Sequence, residues 1–380
     1  MMNRIHTNLL LIILSVILAP AAGASTTWYV DGVNGNDANH CQATHAACKT
    51  IGHAISLASS GDSIVVAPAI YTENLTINFS LNLIGSGART TILDGGGVQR
   101  VINISTGNVT LSGLTVRNGL ATPGYGGVGG GIYNAGNLFI SASTITANVA
   151  SAVCPPSSCM GGGGGIYNSG KLTISMSTVA ANTAEPGCVY NQHAVCVSTA
   201  DGGGIFNRGT IILSNNTITA NTAQHVANGA AFHNVGGIAN IGKATISNST
   251  ISGNTPNGIA SNVGFSVTIQ NTIVSNNGGA NCSSVMVSNG YNLSSDGTCN
   301  LSGPGDLNNH DPLLGPLQNN GGPTETMALL PGSTAIDAGN PSGCTDGNGH
   351  LLTTDQRGMP RPDKEDSVGC DMGAYESQTD

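Results

Sequence analysis

A repeated arc of fixed length constrains the fold of this chain more than any other feature of its sequence. The tetrapeptide Gly-Ile-aromatic-Asn begins the arc at Gly131, Gly165 and Gly204, and weaker copies begin at Gly237 and Gly258. The asparagines that close the five arcs are Asn148, Asn182, Asn221, Asn254 and Asn276. The step from glycine to asparagine is identical in the first four arcs and one position longer in the fifth, whereas the segments that join the arcs differ several-fold in length. Fixed arcs with variable joints are typical of a solenoid that carries insertions at one corner of each coil.

Each arc contains short runs in which β-branched and polar residues alternate, such as Leu172-Thr173-Ile174-Ser175. A period of two with β-branched residues predicts strands. The shortest coil, from Gly237 to Gly258, still has room for several such strands. Short strands stacked from coil to coil at about 4.8 Å form a parallel β-helix, and the crossover rule makes it right-handed. We therefore predict an all-β, single-stranded right-handed parallel β-helix whose Ile, Leu and Val side chains stack into one core.

The closing asparagines predict a ladder. At a bend, the asparagine amide can bond its own backbone and the identical amide one coil away. We interpret Asn148, Asn182, Asn221, Asn254 and Asn276 in this way, and prefer turn use to glycosylation for the Asn-x-Ser/Thr matches in the arcs.

The N-terminal segment has the pattern of an export signal. Arg4 supplies positive charge, residues 9–19 form a short apolar run, and Ala22-Gly23-Ala24 gives the small-x-small pattern read by signal peptidase. Cleavage after Ala24 is predicted. No later run reaches about 18 apolar residues, so no transmembrane segment is expected. We expect a soluble, monomeric mature protein that is secreted, periplasmic or on the cell surface of a bacterium.

The chain divides into four predicted regions. They are the signal peptide 1–24, an N-terminal cap with the first coils 25–100, the repeat body with its corner loops 101–300, and an irregular C-terminal module 301–380. Ile51, Ala54, Ile55 and Ala58 share one face of a short helix, which we expect to cap the first coil and protect its exposed edge.

The ten cysteines suit an exported chain. They form five couples that are close in sequence: Cys41/Cys48, Cys154/Cys159, Cys188/Cys196, Cys282/Cys299 and Cys344/Cys370. An even number of cysteines in such a compartment predicts disulfides. The alternative is a zinc site, but only residues 154 and 159 approach finger spacing, and no pair of histidines completes it.

Two regions of the chain resemble known families. The run Gly61–Pro68, followed by Tyr71-Thr72-Glu73, resembles the opening of pectin-lyase-like right-handed β-helix proteins. Four C-terminal stretches, 319–324, 331–339, 354–358 and 373–376, are similar to the choice-of-anchor Q domain of bacterial surface β-helix proteins. In that family a sorting anchor often follows the module, whereas this sequence stops five residues after Tyr375. Because this sequence departs from the family pattern, we expect free secretion or periplasmic residence as much as attachment to the cell.

Charge argues against several functions. With 11 basic and 20 acidic residues the formal charge is −9, which disfavours nucleic acid or an anionic membrane as partner. Glycoside hydrolysis needs two carboxylates, and the only acids between residues 95 and 295 are Glu185 and Asp201, in one loop. We interpret both as solvated loop charges and as weak catalytic candidates.

A polysaccharide lyase would need an acidic cluster for calcium and a basic catalytic residue, and the repeat body has no such cluster. Lys171, Thr210 and Lys243 occupy equivalent positions of successive arcs, which indicates a solvated outer face. Residues 346–349 resemble part of a calcium loop without the downstream acidic ligand. No cofactor is expected, and calcium at 346–349 is the weaker alternative.

The inserted loops offer the most plausible binding surface. Four of them, 119–130, 149–164, 183–203 and 222–236, must emerge side by side from one corner. The predicted ligand-binding residues on them are Tyr125, Tyr190, His193 and His225. The loops could equally serve only to shield the coil edges. We expect a protein that binds a polysaccharide or a cell-surface protein, adhesin-like rather than catalytic. The alternative is a polysaccharide lyase or glycoside hydrolase acting at the corner-loop face.

Overall fold

The computed structural model describes residues 25–122, 127–151, 159–186, 198–224, 234–364 and 369–378, and only the backbone of residues 159, 160 and 198–200. Within these ranges the chain forms one α-helix, α1 (Ile51–Leu57), a 3-10 turn (Thr44–Ala46) and a long series of short strands. The first strands are β1 (Thr27–Val30), β2 (Ser63–Val66), β3 (Ala69–Thr72), β4 (Leu75–Ile77), β5 (Leu81–Gly85), β6 (Thr91–Asp94), β7 (Ile102–Ile104), β8 (Asn108–Ser112), β9 (Thr115–Arg117) and β10 (Leu120–Ala121). Those of the repeat body are β11 (Ile132–Asn134), β12 (Asn137–Ser141), β13 (Thr144–Thr146), β14 (Val149–Ser151), β15 (Cys159–Gly162), β16 (Ile166–Asn168), β17 (Lys171–Ala180), β18 (Thr183–Glu185), β19 (Ser198–Asp201), β20 (Ile205–Asn207), β21 (Thr210–Thr219), β22 (Thr222–Ala223), β23 (Val235–Asn240), β24 (Lys243–Ser247), β25 (Thr250–Ser252), β26 (Asn257–Ser261), β27 (Ser266–Gln270) and β28 (Ile273–Ser275). The last are β29 (Val287–Ser288), β30 (Leu293–Ser294), β31 (Leu307–Asn308), β32 (Leu314–Gln318) and β33 (Thr326–Leu329).

The strands stack into three long parallel sheets. The first sheet holds β4, β7, β11, β16, β20, β23 and β26. The second sheet holds β1, β2, β5, β8, β12, the first halves of β17 and β21, β24, β27 and β29. The third sheet holds β3, β6, β9, β13, the second halves of β17 and β21, β25, β28, β30 and β31. Each strand pairs with its equivalent one coil away. The predicted parallel β-helix with its helical cap is confirmed.

The core is a set of apolar columns contributed by the three sheets. One column of the second sheet is Ile64, Leu83, Leu111, Ile140, Ile174, Leu213, Ile246 and Ile269. All eight side chains are fully buried. Alternation turns the residues between them outward, so the same strands also present a polar column to solvent. Truncating one such core residue to alanine costs about 2–5 kcal/mol.

The N-terminal helix closes the first coil. Ile51 and Ala54 are fully buried, and Ile55 and Ala58 pack partly buried against the same core. The Glu73 carboxylate accepts hydrogen bonds from the backbone N–H groups of Ile51 and Gly52, at 2.9 and 2.7 Å. A carboxylate at the first turn satisfies N–H groups that lack helical partners. The cap is therefore tied directly to the first coils.

The closing asparagines lie in one buried column, with one correction. Amide Nδ2 groups of Asn148, Asn182 and Asn221 each donate to Oδ1 of the asparagine on the next coil at 2.9 Å, and the column continues through Asn254. The next member is Asn277, to which Asn254 donates at 3.1 Å. The prediction of Asn276 is wrong.

The reason for the shift is an insertion. Strand β26 pairs with β23 so that Ser261 lies opposite Asn240, but β27 pairs with β24 so that Ser266 lies opposite Lys243. The turn at 262–265 therefore holds two more residues than the turn one coil earlier, at 241–242. Asn276 instead takes the position that precedes the ladder, where its φ is +53°. Ala147, Ala181 and Ala220 occupy that position in other coils, with φ between +54° and +55°.

A second asparagine ladder, not predicted, lines the opposite end of the first sheet. Asn134, Asn168 and Asn207 each donate from Nδ2 to the next asparagine Oδ1 at 2.7 Å, and Asn240 is the last acceptor. These are the asparagines of the Gly-Ile-aromatic-Asn motif itself. Fully satisfied buried amides of this kind fix the register of successive coils.

The C-terminal segment runs back along the outside of the third sheet. Gln356 hydrogen bonds to Thr178 and Thr217, on successive coils, at 3.0 and 2.7 Å. Arg361 is buried, pairs with Glu376 at 2.7 Å and donates to Asn215 at 2.9 Å. The stretches at 354–358 and 373–376 therefore hold this segment against the solenoid.

Three of the predicted disulfides are present and confirm those couples. They join Cys41 to Cys48, Cys282 to Cys299 and Cys344 to Cys370. Cys154, Cys188 and Cys196 lie outside the described residues, as does the side chain of Cys159, so those two couples stay predictions. Across the part of the chain that the structure describes, no helix is long and apolar enough to span a bilayer.

Candidate functional site

An open groove follows the corner between the first and second sheets. Its floor is the turn backbone at Gly136, Gly170 and Gly209 on successive coils. These turns are in direct contact: a Cβ on Gly209 would lie 1.9 Å from the carbonyl oxygen of Gly170, and one on Gly170 would lie 2.1 Å from that of Gly136. Only glycine allows this approach, and the missing side chains leave the corner concave.

The groove comprises two adjoining concavities of about 520 and 280 Å³. Both are lined by Asn108, Asn137 and Lys171, which the strand register places in one outward column. Beside that column the second concavity is lined by Phe139 and Thr173. The groove thus offers the same polar position on each of several coils, with one exposed aromatic ring among them.

The groove residues can bind hydroxyl and charged groups. Asn137 donates to Asn108 at 2.8 Å, which leaves further amide donor and acceptor capacity on both exposed side chains. Lys171 is exposed, and Phe139 is 39% exposed. The residues that line the two concavities include no carboxylate. A concave polar surface with an exposed aromatic ring is suited to a sugar chain.

A second feature lies at the corner from which the insertions emerge. The starts of the four inserted segments form a small parallel sheet of β10, β14, β18 and β22, and β15 pairs with β19 where two of them return. The bases of the loops are therefore side by side. Tyr125, Tyr190, His193 and His225 fall outside the described residues, and their role as ligand-binding residues stays a prediction.

Asp201, at the end of β19, differs from the sequence-based interpretation. It is buried, 6% exposed, rather than solvated, and within the described ranges its Oδ1 has no hydrogen-bond partner. Burial raises the pKa of Asp201 to about 7, although the backbone N–H of Asn234 donates to the carboxylate and opposes the shift. This carboxyl group can hold a proton at neutral pH.

Glu185 is the other acid of the same insertion. It ends β18 and is half-buried, so both acids are on strands and not in an irregular loop. Strands β18 and β19 approach each other within 8 Å between Cα atoms. The structure therefore places a buried carboxyl and a partly exposed carboxylate on neighbouring strands at the foot of one insertion.

An aromatic column covers the outer face of the first sheet. Tyr133 and Tyr167 stack with ring centroids 5.3 Å apart, and Phe206 follows edge-on at 5.6 Å. The Arg100 guanidinium lies 5.0 Å from the centroid of Tyr133. Because Tyr167 and Arg100 belong to the coils on either side, both faces of the Tyr133 ring are covered. Only the edge of this ring is available to a ligand.

Metal binding has little support in the residues that the structure describes. One group there has the required spacing of His, Cys, Asp or Glu atoms: Cys41, Cys48 and His53. The two sulfur atoms of this group form a disulfide, so they cannot act as thiolate ligands. In the loop at 346–349 the Asp346 carboxylate accepts hydrogen bonds from Asn348 and His350, as an ordinary turn residue does.

The groove was missed by the sequence reasoning, although its signal was present. The outward positions of the alternating segments carry Asn108, Asn137, Lys171 and Thr210, and register places them in one column. On a sequence such a column is indistinguishable from an ordinary solvated face. The concavity depends on the glycine turns beside it, at Gly136, Gly170 and Gly209, which the sequence analysis did not consider.

Comparisons with known proteins give distant structural likenesses only. No protein-family model matches the sequence, and no curated protein matches it. Among solved structures, pectate lyase Pel9A is similar with a TM-score of 0.46 and 15% identity over 93% of this chain and 97% of that chain. Pectin methylesterase PemA from Erwinia chrysanthemi has a TM-score of 0.33 and 13% identity over 62% of this chain and 81% of that chain. A rhamnogalacturonan lyase has a TM-score of 0.30 and 13% identity over 71% of this chain and 68% of that chain. At such low identity, none of these likenesses assigns a substrate or reaction to this chain.

Proposed function

We propose that this chain is an exported, non-catalytic β-helix protein that binds an extended glycan in the groove at the corner of the first and second sheets. The observation that carries the proposal is the column of Asn108, Asn137 and Lys171, which repeats an exposed polar side chain on consecutive coils above an open floor. Coils repeat at about 4.8 Å, a length close to that of one pyranose residue in an extended chain. A sugar chain lying along the solenoid axis would meet a polar side chain of this column at each residue.

The first test is binding. The mature protein, residues 25–380, is screened on a glycan array, and hits are titrated by calorimetry with oligosaccharides of increasing length. The groove is lined by residues of four successive coils, from Asn108 to Thr210, so affinity is expected to rise up to about four sugar residues and then level off. Affinity that is independent of length would contradict a groove aligned with the axis.

The second test is mutational. Phe139→Ala and Asn137→Ala are each expected to weaken binding by about tenfold, which corresponds to about 1.4 kcal/mol. Ile70→Ala is the matched control, because Ile70 is also an exposed apolar residue, 58% exposed, but lies on the outer face of the third sheet. Unchanged binding in both groove variants, with native circular dichroism, would exclude the groove as the site.

The proposal includes export. The described disulfides fit an oxidising compartment. Mass spectrometry of the protein from a secreting host is expected to give an N-terminus at Ser25, and an intact N-terminus would refute cleavage. The residues that resemble the choice-of-anchor Q domain act structurally in this proposal, because Asp355, Arg357 and Glu376 are buried against the solenoid and are not offered to a partner.

One observation favours a second candidate, a polysaccharide hydrolase at the loop corner. A buried carboxyl with a pKa of about 7, with a second acid on a neighbouring strand, is compatible with the pair of acids that glycoside hydrolysis uses. Reducing-sugar and unsaturated-product assays over a polysaccharide panel test it. Turnover that is lost in Asp201→Asn and Glu185→Gln but kept in Phe139→Ala would replace the binding proposal with this one.

A further inference from the structure

The outward column of the second sheet carries a regular pattern of charge. In register from coil to coil it reads Asn108, Asn137, Lys171, Thr210, Lys243 and Ser266. The chain has only four lysines, and two of them stand in this column, both exposed. A positive charge therefore lies at Lys171 and again two coils later at Lys243, and the Thr210 hydroxyl lies on the coil between them.

The spacing of the two lysines can be compared with a sugar chain. They are two coils apart, which corresponds to roughly 10 Å along the axis at about 4.8 Å per coil. If one sugar residue occupies each coil, Lys171 and Lys243 are separated by one disaccharide. The arrangement then matches an anionic group on alternate sugar residues rather than on each of them.

Arg208 does not supply the missing charge of the intervening coil. Its guanidinium donates to the Tyr167 hydroxyl at 3.4 Å, on the outer face of the first sheet. That contact directs it to the other side of the corner from the column that holds Thr210. The column thus keeps its alternation of charged and neutral positions.

Neither lysine is neutralised by a carboxylate in the described part of the chain, where each ion pair involves other residues. The C-terminal segment brings one acid towards this sheet, because Gly347 lies against Ile212 and Thr245. Its neighbour Asp346 is hydrogen-bonded to His350 at 3.1 Å and forms no ion pair with either lysine. Two exposed ammonium groups without a carboxylate partner can bind an external anion locally, even though the net charge of the chain is −9.

We infer that the groove selects a polysaccharide that carries one carboxylate or sulfate group per disaccharide, with Lys171 and Lys243 each contacting one anionic group. This inference rests on the proposed glycan-binding function and extends the site from the groove by one coil, to Lys243. The lysines supply charge-assisted hydrogen bonds, Thr210 contacts the neutral sugar between them, and Asn137 and Phe139 hold the preceding residues.

The test compares four oligosaccharide series of equal length in calorimetric titrations at low and at high salt. Hyaluronan has one carboxylate per disaccharide, κ-carrageenan one sulfate per disaccharide, polygalacturonate a carboxylate on each residue, and cello-oligosaccharides none. Hyaluronan or κ-carrageenan is expected to bind tightest, and the comparison of these two identifies the anionic group. The preference is expected to weaken at high salt because exposed charges are screened.

Variants of the column test the roles of its residues. Lys171→Met and Lys243→Met keep the apolar stem and remove the charge, and each is expected to weaken binding of the alternating polymer by about threefold, and both together by about tenfold. Lys49→Met, a change of an exposed lysine in the N-terminal cap, is the matched control and is expected to have no effect. Thr210→Lys places a cation on each of three coils and is expected to shift the preference towards polygalacturonate.

The outcomes separate the inference from the function on which it rests. Equal affinity for cello-oligosaccharides and the alternating polymers, or tighter binding of polygalacturonate by the unmodified protein, would overturn the inference and leave glycan binding intact. Binding of none of the four series, together with no hit on the glycan array, would overturn both. Loss of the preference in the double methionine variant, with retention in the Lys49 variant, supports the assignment.

Discussion

The burial of Asp201 predicts a specific dependence of stability on pH. Burial raises the pKa of this carboxyl group from 3.8 to about 7, so the native state keeps a proton that the unfolded chain has already released. Between about pH 4 and pH 7 the native state therefore binds more protons than the unfolded state, and the free energy of unfolding falls as pH rises. Below about pH 4 the Asp201 carboxyl group is protonated in both states, and its burial no longer lowers the free energy of unfolding through ionisation.

The size of the effect follows from the shift. About three pKa units, at about 1.36 kcal/mol each, amount to about 4 kcal/mol of destabilisation once the pH exceeds the folded pKa. Asp201→Asn removes the ionisable group with little change in shape. Relative to the unmodified protein, the variant is expected to gain up to about 4 kcal/mol of stability between pH 4 and pH 8. The substitution also alters hydrogen bonding, but that effect on stability is the same at both pH values and cancels when the two values are compared.

Urea denaturation followed by circular dichroism at pH 4 and pH 8 measures the change. Glu185→Gln is the matched control, because Glu185 is the other acid of this insertion but is only half-buried. The gain at pH 8 is expected in Asp201→Asn and not in this control. If the Asp201→Asn variant and the unmodified protein differ equally at pH 4 and pH 8, Asp201 is not a buried protonated acid.

Three further predictions concern stability. Asn221→Ala removes the Oδ1 that accepts from the backbone N–H and the side-chain amide of Asn182, and the Nδ2 that donates to Asn254 and to the Val179 carbonyl. It is expected to cost about 2–5 kcal/mol in urea denaturation, whereas Asn276→Ala, outside the ladder, should cost less than about 1 kcal/mol. Arg361→Met leaves the Glu376 carboxylate buried without its ion-pair partner, and limited proteolysis is expected to release the C-terminal segment faster. The effect is expected to be larger at pH 8 than at pH 5, because burial raises the pKa of Glu376 and loss of the Arg361 charge, which lowers that pKa, raises it further. Replacing Cys282 and Cys299 by serine removes a bridge between residues 17 apart and is expected to lower the free energy of unfolding by about 3 kcal/mol; an unchanged urea midpoint would contradict this.

The fold was predictable because its determinants are local and repeated. Each coil repeats the same alternation of apolar and polar residues, the same glycine before the strand of the first sheet and the same closing asparagine. Stacking the coils is therefore the arrangement that buries all their apolar faces together. The wrong assignment of Asn276 shows that counting residues along a repeat does not always identify the ladder asparagine. Two extra residues in the turn at 262–265 shift the register downstream, and nothing in the sequence distinguishes an asparagine at φ +53° from the ladder asparagine beside it.

The sites were less predictable because they depend on contacts between distant residues. A lone aspartate in an insertion is ordinarily solvated, whereas Asp201 is buried at the end of β19, which pairs with β15 and lies near β23. The groove depends on the direct contact between the backbones at Gly170 and Gly209, which a sequence pattern does not give. Lys171 and Lys243 were correctly placed at equivalent outward positions, but their relation to the concavity is visible only in three dimensions.

The C-terminal segment alters how such a rod responds to force and heat. A stack in which each coil contacts only its neighbours can fray from either end. Here the C-terminal segment forms hydrogen bonds with Arg89 near the start of the stack, with Thr178 in the middle and with Asn271 near its end. The terminal coils can therefore unfold only after the C-terminal segment has separated from coils far along the axis. The rod is therefore expected to melt in a single transition and to resist pulling along its length as one unit.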